Sequence, residues 1–313
     1  MVVGMGSEDS VAAAGWLGER ARGALLGTFV GDALGMPFEG VEHTAIPVEV
    51  EMVAARRGRG TYTDDTQMMI ALAESLIERG QIEAEHLARA FQGAYDPDRG
   101  YGGGTRRVFE LWAAGTPVAE AAGQVFEGRG SRGDGAAMRI APVAVRFAAE
   151  PSRLRVEASA SARVTHTHPV GVDGAVVQAA AIAAALRDEH ILEAATAVAA
   201  TREITEGLRS IAELLTTARP EPGEVHARLG SSSDAREAVC AAIYAALANP
   251  TFEQALRFAV RLGGDTDTVA AMTGAISGAV HGKSSIPAGW LEALEDGDRG
   301  RTYVEQLATR LLE

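Results

Sequence analysis

Two short stretches concentrate carboxylates and hydroxyls where helices are expected to begin. One is residues 61–66 (TYTDDT) and the other is residues 263–268 (GGDTDT), about two hundred residues later. Carboxylates and hydroxyls are the hard oxygen ligands that Mg²⁺, Mn²⁺ and Ca²⁺ prefer. If folding brings the two stretches together, their four carboxylates need a cation between them. The sequence therefore predicts a two-metal site with oxygen ligands.

Helix capping is the structural alternative for each stretch, because Asp and Thr are common N-caps and a negative charge suits that end of a helix. A cap needs one such residue, whereas each stretch offers three or more. Small residues after the second stretch, among them Ala270, Gly274 and Gly278, predict a helix packed closely in the interior. Surplus carboxylates have no structural use there, so metal ligation is favoured.

Two glycine-rich turns precede helical segments and could hold an anion or a flat ring against backbone N–H groups. They are residues 101–105 (YGGGT) and 128–135 (GRGSRGDG). The second is similar to a phosphate-cradling turn, but no Gly-Lys-Ser/Thr follows, so it is not a Walker motif. Glu39 lies on a loop after a glycine-rich helix end. Its carboxylate could be catalytic or simply solvated, and the spacing alone leaves both interpretations open.

His166 and His168 have a spacing that suggests zinc, yet no third nitrogen or sulfur ligand lies nearby. A polar contact from His166 to a ligand, or a helix cap, is the preferred interpretation. The basic segment 56–60, within a connection over residues 41–60, is predicted to be a solvated loop.

Helical periodicity covers nearly the whole chain, so the predicted fold is all-α, a compact single-domain multi-helix bundle with a central di-metal cleft. We expect residues 1–15 to form a flexible N-terminal extension and residues 16–313 to form the domain. The predicted helices run from 16 to a break near the glycines at 27, 31 and 35, then over 67–79, 83–95, 106–114, 140–147, 158–164, 171–187, 190–200, 202–217, 235–248, 251–262, from 269, and from 302. Residues 48–50 are the only strand candidate, and a poor one.

The composition, with 47% hydrophobic and 23% charged residues among 313, is ordinary for a globular protein with a large core. The net charge of −13 argues against direct binding to nucleic acid or to anionic membranes. Cys240 is the single cysteine, which fits a reducing cytoplasm. The start of the chain lacks the basic region of a signal peptide, and the apolar run at 174–186 favours a core helix over a membrane span. We expect a cytoplasmic monomer.

Taken together, the motifs resemble the ADP-ribosylglycohydrolase family, the group that includes the dinitrogenase-reductase-activating glycohydrolase. The matching pieces occur in family order and are residues 31–35 with Glu39, 63–66, 133–139, 165–166 and 263–268. The resemblance implies an all-α fold and two divalent cations, Mg or Mn. The metal ligands it implies are Thr63, Asp64, Asp65, Asp265, Asp267 and Thr268.

The resemblance also implies roles around the metals. Glu39, Asp64 and Asp267 would be catalytic. Tyr101, Gly102, Gly103, Gly104, Ser131, Gly133, Asp134, Gly135 and His166 would bind ADP-ribose. The implied reaction is water attack at the anomeric carbon of the distal ribose, which releases ADP-ribose from an ADP-ribosylated side chain or small-molecule conjugate.

Two departures from the family pattern affect the expected substrate. Asp134 occupies a position where several members have asparagine, so it would repel phosphates unless it faces a hydroxyl or the metal. The loop at Tyr101 carries no acid of its own, and Asp96 and Asp98 are offset from it. This favours O-linked ADP-ribose over arginine-linked ADP-ribose.

Three alternatives stay open. They are a hydrolase of O-acyl-ADP-ribose, a di-metal nucleotide phosphohydrolase that cleaves the pyrophosphate, and a catalytically silent ADP-ribose-binding protein. Their products separate them, since glycosidic cleavage gives free ADP-ribose and pyrophosphate cleavage gives AMP.

Overall fold

The computed structural model describes residues 7–55, 57–217 and 220–313, without the side chains of residues 7–14. Sixteen α-helices lie in these ranges, which confirms the all-α prediction. They are α1 (Ser7–Gly35), α2 (Asp64–Arg79), α3 (Ala84–Ala94), α4 (Gly103–Ala113), α5 (Val118–Gln124), α6 (Ala141–Arg146), α7 (Pro151–Arg163), α8 (Pro169–Leu186), α9 (Ile191–Val198), α10 (Arg202–Leu215), α11 (Pro222–Leu229), α12 (Ala235–Ala248), α13 (Phe252–Arg261), α14 (Thr266–His281), α15 (Ala288–Ala293) and α16 (Arg301–Arg310).

Helix α1 extends further at both ends than the sequence pattern predicts. It begins at Ser7 instead of residue 16, so part of the expected flexible extension is helical, and residues 1–6 lie outside the described residues. It continues to Gly35 instead of breaking near Gly27. The glycines permit close packing rather than a turn: a Cβ on Gly27 would lie 2.1 Å from the carbonyl oxygen of Gly274 in α14.

Helices α1 and α14 run antiparallel in backbone contact. A Cβ on Gly23 would lie 2.2 Å from the carbonyl oxygen of Gly278, and one on Gly31 would lie 2.0 Å from that of Ala270. The end of α1 therefore meets the start of α14, where Thr266 Oγ1 donates to the carbonyl oxygen of Gly35 at 2.8 Å. This contact fixes the second acidic stretch against the glycine-rich end of α1.

Short elements account for the other differences from prediction. Helices α5, α11 and α15 have six to eight residues each, too few turns for a clear periodic pattern, and the sequence analysis missed them. The antiparallel strands are β1 (Ala54–Ala55) and β2 (Gly58–Arg59), not residues 48–50. They form a tight hairpin within the connection over residues 41–60.

Helix α8 is, in the described part of the chain, the helix whose length and mean hydropathy of 1.6 would suit a membrane span. Within the fold, 94% of it is buried by surrounding protein. It packs against α6, α7, α9, α12 and α14. Such burial on all sides is typical of the core helix that the sequence predicts.

Candidate active site

The two acidic stretches meet at the first turns of α2 and α14. Thr268 Oγ1, on α14, donates a hydrogen bond to Asp65 Oδ2, on α2, at 3.4 Å. Thr63, the N-cap of α2, donates to the same oxygen at 3.1 Å and accepts from the Asp65 backbone N–H at 3.3 Å. Threonines from two stretches about two hundred residues apart in sequence therefore donate to the same oxygen atom, Asp65 Oδ2.

Asp32, on α1, holds the start of α2. Its carboxylate accepts from the backbone N–H of Thr63 at 3.0 Å, and from the N–H and Oγ1 of Thr66 at 3.1 and 2.6 Å. Burial raises the pKa of Asp32 to about 6, against the opposing effect of these hydrogen bonds. Sequence alone gives Asp32 no role, because its partners, two backbone N–H groups and the Thr66 hydroxyl, lie on another helix start that only the fold brings close.

The clustered carboxylates raise one another's pKa values. Burial raises the pKa of Asp64 to about 8, with the charge of Asp32 as the next cause. Burial, and then neighbouring carboxylates, also raise the pKa values of Asp65 and Asp267 well above the usual range. Both residues are at most 5% exposed. So much buried negative charge is unfavourable unless protons or cations neutralise it.

The donor atoms suit an oxygen-ligated divalent cation in type and charge. Within the described residues, Asp65 Oδ1 and Asp134 Oδ2 are buried and lack a hydrogen-bond partner. Such acceptors, beside threonine hydroxyls, match the preferences of Mg²⁺ and Mn²⁺. No three His, Cys, Asp or Glu side chains in that part of the chain are already arranged to hold one ion. The residues therefore suit a divalent cation by the type and charge of their donor atoms, and not by a complete coordination geometry.

A cavity of about 680 Å³ opens over the acids, a volume typical of small-ligand sites. Five of the six predicted metal ligands line it, and the sixth, Thr63, contacts Asp65. The other predicted site residues that line it are Glu39, Gly102, Gly103, Gly104, Ser131, Gly133, Asp134, Gly135 and His166. The structure thus brings all the predicted site residues together except Tyr101.

Tyr101 is a core residue, which corrects the predicted contact with ADP-ribose. It is 3% exposed, and its hydroxyl donates to Gln67 Oε1 at 2.8 Å. Its ring packs edge-on against Tyr95, with 4.7 Å between the ring centroids. The Tyr101 ring therefore packs in the core beneath the loop, while the three glycines that follow it line the cavity.

Glu39 lies beside the acidic cluster. The backbone N–H of Gly40 donates to the carbonyl oxygen of Gly264 at 2.8 Å, which ties the Glu39 turn to the residue before Asp265. The charge of Glu39 contributes to the raised pKa values of Asp64 and Asp267. A carboxylate that interacts electrostatically with the cluster and lines the cavity is positioned to exchange a proton there.

His166 contacts the glycine-rich loop over residues 131–135. A Cβ on Gly135 would lie 3.2 Å from His166 Nε2, so glycine lets the loop approach closely. Thr165 Oγ1 accepts from Arg139 Nη2 at 2.8 Å and lies 2.8 Å from His166 Nδ1. All these groups are satisfied when Thr165 donates to Nδ1, which leaves a proton on Nε2 facing the loop. Burial lowers the pKa of His166 to about 3, so the ring is neutral.

His168 caps α8, where its Nδ1 accepts from the backbone N–H of Val170 at 3.2 Å. Both histidines line the cavity. The two side chains use their Nδ1 atoms in local hydrogen bonds, in agreement with the preferred interpretation over zinc.

Asp134 is buried next to Asp265. Burial, and then the charges of Asp265 and Asp65, raise the pKa of Asp134 well above its usual range. The segment 231–235 holds both residues: the Asp134 N–H donates to the carbonyl oxygen of Ser233 at 3.1 Å, and the Asp265 N–H to that of Ser231 at 2.8 Å. Asp134 therefore lies beside the predicted metal ligand Asp265, and its orientation toward a metal stays a prediction.

Phe126 is a site residue that the sequence analysis missed. It lines the cavity, yet its side chain is 54% exposed. Phe126 and Glu127 have φ values of 51° and 60°, a left-handed conformation that is uncommon outside glycine and is often associated with functional sites. A Cβ on Gly104 would lie 2.9 Å from the Phe126 ring. The only sequence signal is an aromatic residue two positions before the glycine-rich turn at 128–135.

Comparison with known proteins gives one consistent family. A family model described as ADP-ribosylglycohydrolase matches residues 15–313. The chain is 33% identical to "ADP-ribosylhydrolase ARH3" of Homo sapiens, over 88% of this chain and 89% of that protein. It is 28% identical to "ADP-ribosyl-[dinitrogen reductase] glycohydrolase" of Rhodospirillum rubrum, over 88% and 90%.

A solved structure agrees with these sequence relatives. The structure, described as "ADP-ribosylglycohydrolase-related protein complex", superposes with a TM-score of 0.78 at 31% identity. The superposition covers 94% of this chain and 97% of that one. Fold and sequence similarity therefore extend over nearly the full length of both chains.

Proposed function

Because this chain belongs to the ADP-ribosylglycohydrolase family, whose members hydrolyse ADP-ribose linkages, we propose that it is a metal-dependent enzyme that releases ADP-ribose from a modified side chain or a small conjugate. One observation carries the proposal most directly. Two acidic helix starts converge on Asp65 at the floor of a cavity that also holds Glu39 and a glycine-rich loop.

The cavity offers distinct surfaces for the two ends of ADP-ribose. The glycine-rich turns at 102–104 and 131–135 supply backbone N–H groups for the pyrophosphate, aided by the Nε2–H of His166. The half-exposed ring of Phe126 at the cavity wall supplies a flat apolar surface for the adenine. The distal ribose then lies over the acids, with its hydroxyls near the oxygen donors.

The reaction we propose is hydrolysis at the anomeric carbon through an oxocarbenium-like transition state. When bound, two divalent cations, Mg²⁺ or Mn²⁺, would neutralise the carboxylates and lower the pKa of a water. Glu39 exchanges a proton with the attacking water or with the leaving group. Asp32 keeps the start of α2, and so Asp64 and Asp65, in a fixed orientation throughout.

The decisive assay measures free ADP-ribose released from serine-, arginine- and acetyl-linked substrates with Mg²⁺, with Mn²⁺ and with chelator. We expect release that needs a divalent cation. Asp267→Asn should lower it on the order of 100-fold and weaken Mn²⁺ binding in calorimetry.

Asp188→Asn is the matched control, since Asp188 is 77% exposed, remote from the cavity, and in the left-handed conformation that Asn tolerates. Release that neither chelator nor Asp267→Asn reduces would refute metal dependence. AMP as the product would instead indicate cleavage of the pyrophosphate.

A further inference from the structure

A second, smaller cavity of about 300 Å³ adjoins the first at Glu39 and Gly100, which line both. One wall is apolar and comes from Met36, Pro37 and strand β1. The charged side chains in the lining are those of Arg57, Asp98 and Arg99, beside Glu39. The two cavities therefore meet at the residue to which we assign proton exchange.

This inference rests on the proposed function. If ADP-ribose fills the larger cavity and its anomeric carbon lies near Glu39, the group that leaves must lie beyond Glu39. The smaller cavity is the space on that side, and its volume suits an amino-acid side chain. We propose that it is the leaving-group subsite, and that Arg57 makes it reject leaving groups that carry a guanidinium.

Two carboxylates near this subsite, those of Asp96 and Asp98, are already paired with a guanidinium from the protein itself. Arg57 Nη1 lies 3.1 Å from Asp96 Oδ2 and 3.9 Å from Asp98 Oδ2. A guanidinium on a substrate would seek the same partners, because its planar fork matches carboxylate geometry. Arg57 therefore occupies the position that an arginine-linked substrate would need.

A second cation in the subsite is fixed by the fold. Arg99 Nη1 donates to the carbonyl oxygen of Tyr62 at 2.7 Å and pairs with Glu295, while its guanidinium lies 3.7 Å above the Tyr62 ring. Its side chain is 9% exposed, so it cannot move away from an incoming cation. A neutral, hydroxyl-derived leaving group avoids this repulsion, whereas a guanidinium does not.

Arg57 is the residue that can be changed without disturbing the core, because its side chain is 32% exposed and lies on the hairpin between β1 and β2. Arg57→Gln removes the charge and keeps most of the length. Arg202→Gln is the matched control: Arg202 is 86% exposed and pairs with Glu206 on α10, remote from both cavities.

The test compares kcat/KM on serine-linked and arginine-linked ADP-ribosylated peptides for the wild type and both variants. We expect the wild type to prefer the serine linkage. Arg57→Gln should raise the ratio of arginine-linked to serine-linked kcat/KM about tenfold or more, and Arg202→Gln should leave it unchanged. An unchanged ratio in Arg57→Gln overturns the assignment while the proposed function survives.

A binding measurement separates the two proposals. Agmatine carries a guanidinium but no ADP-ribose, so calorimetry with agmatine reports on the subsite without catalysis. We expect agmatine to bind Arg57→Gln more tightly than the wild type. If no variant releases ADP-ribose yet this difference in agmatine binding is found, the proposed function fails, the assignment as a leaving-group subsite fails with it, and only the exclusion of a guanidinium by Arg57 stands. Equal binding to both proteins overturns the subsite.

Discussion

Disturbing the backbone contact between α1 and α14 should change both the free energy of unfolding and the activity of the site. A Cβ on Gly31 would lie 2.0 Å from the carbonyl oxygen of Ala270 and 2.3 Å from its carbon. Both are backbone atoms, so no side chain can rotate away. Ordinary contact begins at 3.4 Å, and Gly31→Ala must therefore separate the helices by about 1.4 Å at that point.

Two effects determine the change in the free energy of unfolding for Gly31→Ala. Alanine in a helix stabilises by about 0.5–1 kcal/mol relative to glycine. Overpacking a core costs about 1–3 kcal/mol, and contact between backbones falls at the upper end of that range. Gly15→Ala, on the same helix with nothing within 4 Å of the added Cβ, gains only the first effect. The two variants should differ by about 3 kcal/mol.

Urea unfolding measures that difference, and ADP-ribose release measures its effect on the site. Because α14 carries Asp267 and Thr268, a shift of about 1 Å at its first turn should lower kcat on the order of 100-fold. Gly15→Ala should retain normal activity. If Gly31→Ala were as stable and as active as Gly15→Ala, the backbone contact would not position the site.

Three further predictions concern the site itself. In chelator, the free energy of unfolding should fall as the pH rises from about 4 to 8, because the raised pKa values of Asp32 and Asp64 make their ionisation destabilise the folded state. Asp32 alone should account for a fall on the order of 3 kcal/mol. Denaturation curves at several pH values measure the fall, and saturating Mn²⁺ should flatten it. Asp32→Ala should lower the free energy of unfolding by about 2 kcal/mol or more and weaken Mn²⁺ binding about 10–100-fold in calorimetry, since buried donors lose their acceptor; unchanged binding would contradict its positioning role. Phe126→Ala should weaken ADP-ribose binding about 10-fold in titrations, whereas Phe126→Tyr should preserve it. Equal affinities of the wild type and Phe126→Ala would exclude stacking of the adenine on Phe126.

The sequence predicts the composition of the site better than its contacts. Carboxylates at 64, 65, 265 and 267 were recognisable because their residue types carry the chemistry and their turns precede periodic helices. The family resemblance predicts a ligand contact for Tyr101, but a tyrosine beside three glycines can point either way, and only its packing against Tyr95 and Gln67 decides.

The same limit applies to the backbone. Glycines 27, 31 and 35 are compatible with a broken helix and with a close helix pair, and the difference lies in a partner about 240 residues later. The conformation of Phe126 is likewise invisible in sequence, because positive φ values at a non-glycine residue depend on the surrounding fold. Helical periodicity and residue type can be read from the local sequence, whereas the helix contact and the φ value of Phe126 depend on the rest of the fold.

The antiparallel contact between α1 and α14 also governs when the site can exist during synthesis of the chain. The glycine face of α1 leaves the ribosome well before its partner, because α14 begins at Thr266 and follows α1 to α13 of the described residues. Until α14 emerges, Asp65 lacks its contact with Thr268, and the chain carries only one of the two acidic stretches. The proposed cation site therefore requires late, long-range closure of the fold, and we expect a nascent chain that ends before α14 to lack it.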